Sequence, residues 1–178
     1  MACLVVLLLL AAPYCGVQVC EAQTLADYVG TFAYVPERSE SIDEAIEAGV
    51  AKVNFIVRKI ARPRLRKTNV AYQQLEFRLE GDTLSIQMDQ RQPIRLPANG
   101  DAVPWRREDG ELFDVSARLE GNALVQLYNA EDGQRRNAFT LDEDGAVLDM
   151  RVTVHSPKLK DDVVYRLAYR RTGTAPGQ

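Results

Sequence analysis

"SIDEAIEAGVAKVNFIVRKIARPRLRK", residues 41–67, has the spacing of a helix in a chain that otherwise alternates like strands. Ser41 and Glu44 have capping-box spacing; Asp43 and Glu44 occupy the first turn, and Arg58, Lys59 and Arg62 the last, where the helix dipole favours each sign of charge. Ile42, Ala45, Ile46, Val50, Val53, Val57 and Ile60 recur at three- and four-residue steps. They predict one apolar stripe on an amphipathic helix that Pro63 stops and Gly49 can divide in two. Burying such a stripe stabilises by on the order of 10 kcal/mol before ordering entropy is subtracted, so the helix must cover something.

What it covers is written in the turns. "EDGE" at Gly110, "LEGN" at Gly121, "EDGQ" at Gly133 and "EDGA" at Gly145 recur every eleven or twelve residues, and "HSPK" at Pro157 continues the beat. Each turn sets an acidic or amide residue beside glycine, the chemistry of a tight hairpin, so the region reads as an antiparallel meander. Between the turns, Phe113, Val115, Ala117 and Leu119 share one face, as do Leu148, Met150, Val152 and Val154. Upstream, Leu75, Phe77 and Leu79 oppose Leu84, Ile86 and Met88 across "EGD". Counting "DYVGTFAYV" at the start and "DVVYRLAYRR" at the end, the fold is expected to be mainly β. An up-and-down barrel of about eight to ten strands is expected, since closure removes exposed edges, with the helix inserted between strands 1 and 2 against its open end or side.

With 178 residues, 46% of them hydrophobic, the chain suits a single core. "MACLVVLLLLAAPYCGVQVCEA" has a short apolar run broken by Pro13 and small residues at Cys20 and Ala22, which predicts a signal peptide, residues 1–22, cut after Ala22. The run is about half of the ~20 apolar residues a membrane span needs. Lipid attachment at Cys20 stands as an alternative, with Val19 where such sites carry a small residue. All three cysteines, Cys3, Cys15 and Cys20, fall in this segment, so the expected secreted or periplasmic product has no thiol for a disulfide or a zinc site. The net charge of −3 gives no whole-protein bias toward nucleic acid. A single domain is expected over 23–171, followed by a disordered tail, 172–178.

This order of parts, "YVGTFAYV", a helical insertion, "GDTLSIQ", "LEGNALVQLYNAEDGQ" and a closing "VYRLAYRR", resembles the fatty-acid-binding group of the calycin superfamily and, more loosely, the lipocalins. Gly30, Thr31 and Phe32 are similar to the family's opening glycine and tryptophan, with Phe32 in the aromatic position. The resemblance implies a barrel that binds a hydrophobic or amphipathic ligand beneath a lid. It departs at the ligand carboxylate: with Tyr169 as the tyrosine of the family's Arg-x-Tyr, Leu167 stands in the arginine position, and the family's other internal arginine falls near Thr140. Neither charge is carried over.

Chemical sites are sparse. His155 stands alone at a strand end, without the partners that metal or nucleophile chemistry requires. The pairs Glu108-Asp109, Glu131-Asp132 and Glu143-Asp144 adjoin turn glycines and read as hairpin chemistry, so no enzyme and no cofactor is expected. The candidate ligand-binding residues are Phe77, Tyr128, Met150, Tyr165 and Tyr169 in the barrel and Ile46, Val50 and Val53 on the lid, with Val57 continuing the lid face. Arg62, Arg64 and Arg66 offer a weak contact with an anionic membrane surface, or merely complement the helix dipole. A different class stays open: a solid barrel or sandwich acting as an envelope interaction protein or inhibitor through loops around Trp105. Interior volume separates the two, since a cavity of ~300 Å³ or more supports a carrier.

Overall fold

The structure, a computed structural model, describes residues 23–173; the expected signal peptide and residues 174–178 lie outside them. Strand β1 spans Gly30–Tyr34, and helices α1 (Ile42–Val50) and α2 (Phe55–Thr68) separate it from β2 (Gln74–Glu80). Then follow β3 (Thr83–Met88), β4 (Ile94–Pro97), β5 (Val103–Arg106), β6 (Leu112–Glu120) and β7 (Ala123–Ala130). β8 (Gly133–Leu141), β9 (Val147–His155) and β10 (Val163–Gly173) complete the chain, the last running into the segment expected as tail. The ten strands form one antiparallel sheet in the order β4-β3-β2-β1-β10-β9-β8-β7-β6-β5. Sequential neighbours pair throughout, and β1 pairs with β10, so the sheet curls into an up-and-down barrel with one seam between β4 and β5.

The alternation sets the registers. Leu75 faces Met88, Phe77 faces Ile86 and Leu79 faces Leu84 across β2 and β3. Leu148, Met150, Val152 and Val154 lie opposite Tyr169, Leu167, Tyr165 and Val163. Four turn glycines, Gly81, Gly110, Gly121 and Gly145, take the positive φ expected of them. Gly133 serves a different need: a Cβ there would lie 2.8 Å from the carbonyl oxygen of His155 on the neighbouring strand.

Two helices replace the single one that the stripe suggests, and the break comes after Val50 rather than at Gly49. Gly49 is instead the point where α1 approaches the sheet, since a Cβ there would lie 2.5 Å from the Val163 side chain. Ser41 caps α1 by accepting from the Glu44 N–H at 3.3 Å, and Asn54 caps α2 by accepting from the Val57 N–H at 2.9 Å. Arg58 folds back to donate to the carbonyls of Val50 and Val53, satisfying the end of α1. Pro63 does not stop the helix but lies inside α2. It is on the exposed face, where the Lys59 carbonyl that its missing N–H leaves unpaired can meet water. Ion pairs from Arg62 to Glu47 and from Arg66 to Asp43 and Glu47 tie the segment around Pro63 to α1.

The interior divides along the barrel axis. Phe77 lies edge-on to Phe32 and to Phe139, with ring centroids 5.9 and 5.1 Å away, and the buried Leu84, Leu124 and Leu148 fill in around them. Tyr28, wholly buried before β1, closes this far end; its hydroxyl accepts from the Leu124 N–H at 3.1 Å and lies 2.9 Å from the Asn122 carbonyl. The end toward the helices is not filled.

Candidate functional site

Beneath α2 lies a cavity of about 560 Å³, above the volume that separates a carrier from a filled barrel. Val57, Ala61 and Leu65 of α2 roof it. Ile86, Met88 and Ile94 line one wall, and Trp105, Phe113 and Tyr128, mutually packed with centroids 5.8–6.1 Å apart, line another. The mouth, between α2 and the turns after β5, β7 and β9, carries alternating charges: Arg64 reaches Glu111 at 3.1 Å and Asp132 at 3.5 Å, and Lys158 reaches Asp132 at 2.9 Å. The Lys158 hydrogen bond, together with the nearby Arg64 charge, holds the Asp132 carboxyl below its ordinary range.

One charged side chain enters from the wall. β7 and β8 form a hairpin in which Ala130 faces Gly133, so Tyr128 lies opposite Arg135 and Gln126 opposite Asn137, all turned inward. Arg135 is enclosed by the wall yet keeps part of its surface open to the cavity. Its Nε donates to Asn137 Oδ1 at 2.9 Å, and its Nη1 donates to Asn69 Oδ1 at 3.0 Å and to the Thr68 carbonyl at 3.2 Å. None of these partners is a carboxylate, and the enclosed Nη2 has no hydrogen-bond partner among the described residues. Burial acts to lower the Arg135 pKa, but a guanidinium starts so high that it stays charged. Burial likewise pushes the Tyr128 and Tyr165 hydroxyls up, so both stay protonated. A buried charge without a counter-charge costs several kcal/mol, and a cavity that retains one is a place where a ligand of opposite sign gains.

Asn69, the cap residue ending α2, is 4% exposed and joins this charge to the lid. Its Oδ1 also accepts from the Tyr165 hydroxyl at 3.0 Å, and its Nδ2 donates to the Leu65 carbonyl at 2.9 Å.

Of the eight residues singled out from the sequence, Tyr128 borders the cavity. Tyr165 points its hydroxyl into the polar cluster beside it. Phe77, Met150 and Tyr169 are wholly buried in the packed interior, and Ile46, Val50 and Val53 anchor α1 and the link to α2 without bordering the cavity. The lid face over the cavity thus belongs to α2, where Val57 takes part, while Ile60 is 66% exposed at the rim. Thr140, where the resemblance sets an internal arginine, faces solvent, and the interior charge comes from Arg135. The signal for it was the hairpin itself, because the inward parity of Tyr128 carried across the Gly133 turn falls on Arg135 rather than Arg136. Arg62, Arg64 and Arg66 are all occupied by carboxylates. His155 is exposed at a strand end, with Nδ1 2.8 Å from Asp162.

No family model and no curated protein matches the chain. Solved structures do. A REP1-NXSQ fatty acid transporter is 20% identical, with 83% of this chain and 97% of that one covered and a TM-score of 0.54. Lipid binding protein 8 of Caenorhabditis elegans is 14% identical over 84% and 98%, with a TM-score of 0.55. A secretory abundant heat soluble protein from Ramazzottius varieornatus is 12% identical over 82% and 96%, with a TM-score of 0.58. At these identities the likeness is one of architecture, and it agrees with the strand order, the helix pair after β1 and the hollow beneath it: the chain has the calycin-type β-barrel fold of the fatty-acid-binding proteins.

Proposed function

We propose that this protein binds and carries a small amphipathic, lipid-like molecule with an apolar body and one acidic head, and that it does so as a non-enzymatic carrier outside the cytoplasm. The observation that carries this reading is the cavity of about 560 Å³ with one uncompensated guanidinium in its wall. The aliphatic and aromatic walls suit a hydrocarbon body, and the Arg135 guanidinium, whose partners are all neutral, suits an anionic group. The architectural neighbours named as a fatty acid transporter and a lipid binding protein support the same class of ligand. The alternative, a solid interaction module, loses its support from a filled interior. Export rests on the apolar run and the small residues before Gln23.

One measurement reads both halves of the proposal. Native mass spectrometry of protein purified from its own host is expected to show a chain beginning at Gln23 and a bound species that solvent extraction releases as a lipid-like acid. A ligand-free protein that also leaves hydrophobic fluorescent probes unbound overturns the carrier, and a chain retaining residues 1–22 overturns the processing.

For the anionic membrane contact, the neutralised arginines are poor support, whereas Phe55, Ile56 and Ile60 are 75%, 72% and 66% exposed on α2 beside the exposed Lys59. An exposed apolar face next to a cation suits weak seating on a negatively charged bilayer. Phe55→Ser with Ile56→Ser is expected to cut partitioning onto phosphatidylglycerol-containing vesicles at least fivefold. Equal partitioning of the variant removes membrane contact from the proposal.

A further inference from the structure

Seven cationic side chains and four carboxylates border the cavity, an excess of positive charge in a chain whose net charge is −3. The excess is not spread evenly. Glu111 and Asp132 are matched by Arg64 and Lys158, and Asp109 by Arg107 at 2.8 Å, while Arg106 and Glu108, exposed where β5 ends, cancel in charge. That leaves Arg135 in the wall and two exposed side chains at the rim, Lys67 and Arg91, with no carboxylate in ion-pair reach among the described residues. Lys67 lies in the last turn of α2 and Arg91 in the turn between β3 and β4. Tyr72, on the link from α2 to β2, is 8% exposed, borders the cavity and has the Arg91 guanidinium over its ring, 5.3 Å from the centroid. A guanidinium packed on a ring by its face keeps its N–H edge free for an acceptor. The Arg107 hydrogen bonds, with the Lys67 charge adding to them, hold the Asp109 carboxyl down at about 2, so Lys67 faces the β5–β6 turn across the same corner of the mouth.

We propose that this corner is a phosphate site: the ligand is a single-chain lipid whose head is a phosphate monoester, held at the rim by Lys67 and Arg91 while its chain descends past Tyr72. This rests on the carrier reading above and names the head of that ligand. A phosphate monoester carries about −1.5 to −2 charge at pH 7 on three acceptor oxygens, which matches two free cations where a carboxylate matches one. Drawn into the cavity, such a dianion would lose its hydration for the sake of a single guanidinium. At the rim it keeps water on one side and meets, on the other, the point charge of Lys67 and the planar fork of Arg91, with the Arg135 charge behind them. The apolar walls at Ile86, Trp105 and Phe113 are left to the chain.

The test titrates dodecyl phosphate, dodecanoate and dodecanol against a neutral fluorescent probe on the full chain, then repeats the titrations with Lys67→Gln and Arg91→Gln combined. Dodecyl phosphate is expected to bind roughly tenfold tighter than dodecanoate, and the double variant to lose roughly tenfold for dodecyl phosphate relative to dodecanol, as two exposed ion pairs allow. A variant that keeps the whole phosphate preference overturns the site. Loss of dodecanoate in step with dodecyl phosphate overturns the phosphate assignment, because the corner then reads any acid. Charge reversal, Lys67→Glu with Arg91→Glu, separates a lost site from a damaged lid: it is expected to push dodecyl phosphate below dodecanol, whereas equal weakening of all three ligands overturns the assignment. Millimolar inorganic phosphate is expected to leave the dodecyl phosphate titration unchanged, and competition from it makes this a site for free phosphate rather than for a lipid. Equal affinities for all three ligands leave the carrier and remove the site. Displacement of the probe by none of them sinks the carrier reading and the site with it.

Discussion

Arg135→Met is expected to weaken binding of a medium-chain carboxylic acid by roughly 10- to 100-fold, while an alcohol of equal length loses no more than a few-fold. A hydrogen bond to a charged group contributes about 1.5–3 kcal/mol, and each 1.4 kcal/mol is tenfold in affinity. The stability of the free protein is expected to move the other way or hardly at all. Arg135 holds a buried charge with no carboxylate beside it, and replacing such a charge with an apolar side chain of similar volume removes a desolvation cost. The Thr68 carbonyl and the wholly buried Asn137 Oδ1 each lose a donor, which offsets part of that gain, while the Asn69 oxygen keeps the Tyr165 hydroxyl. Opposite signs for function and stability are the mark of a residue retained for its ligand. Titration of the variant with both ligands checks this, and a parallel loss of acid and alcohol affinity would instead mean that the cavity had collapsed.

Phe77→Ala is expected to be the most destabilising single truncation in the barrel, costing about 3–5 kcal/mol. Phe77 is wholly buried and stands between two edge-on partners, Phe32 and Phe139, so its removal strips both of them and leaves a void that no neighbouring helix can settle into. For a chain of this size, the thermal midpoint should fall by on the order of 10 °C. Phe77 does not border the cavity, but its cross-strand partner Ile86 does, so a void behind Ile86 should let chains longer by several methylenes bind. A thermal melt and a chain-length series of acids read the two effects separately; a midpoint within about 3 °C of the original would mean that the aromatic stack does not hold the two halves of the barrel together.

Much of this architecture was legible because each hairpin carries its own instructions. The Gly110, Gly121 and Gly145 turns and the alternation of Leu148, Met150, Val152 and Val154 need no information from elsewhere in the chain. Alternation says which side chains point inward, but not how far along the axis the filled region ends. Met150 and Tyr128 have the same parity, yet one is packed among aromatics and the other borders a void. That distinction depends on where α2 sits over the mouth, a long-range property. The apolar stripe of the helical segment misled for a related reason: α1 spends Ile46 and Val50 on docking, leaving α2 to cover the opening. Thr140, where the resemblance sets an internal arginine, faces solvent, and the cross-strand pairing of Tyr128 with Arg135 locates the interior charge instead.

The pairing of the first strand with the last has a consequence for how the protein is made. Thr31 pairs with Gly173, and the Arg171 guanidinium donates to the carbonyls of Asp27 and Val29, so the first and last strands of the barrel meet in one patch. While the ribosome is still extending the polypeptide, β1 has no β10 to bond, and only local hairpins such as β6–β7 and β7–β8 can form. Closure of the barrel therefore waits on β10, and the β1–β10 pairing, the longest-range one in the sheet, is expected to be the slow step of folding.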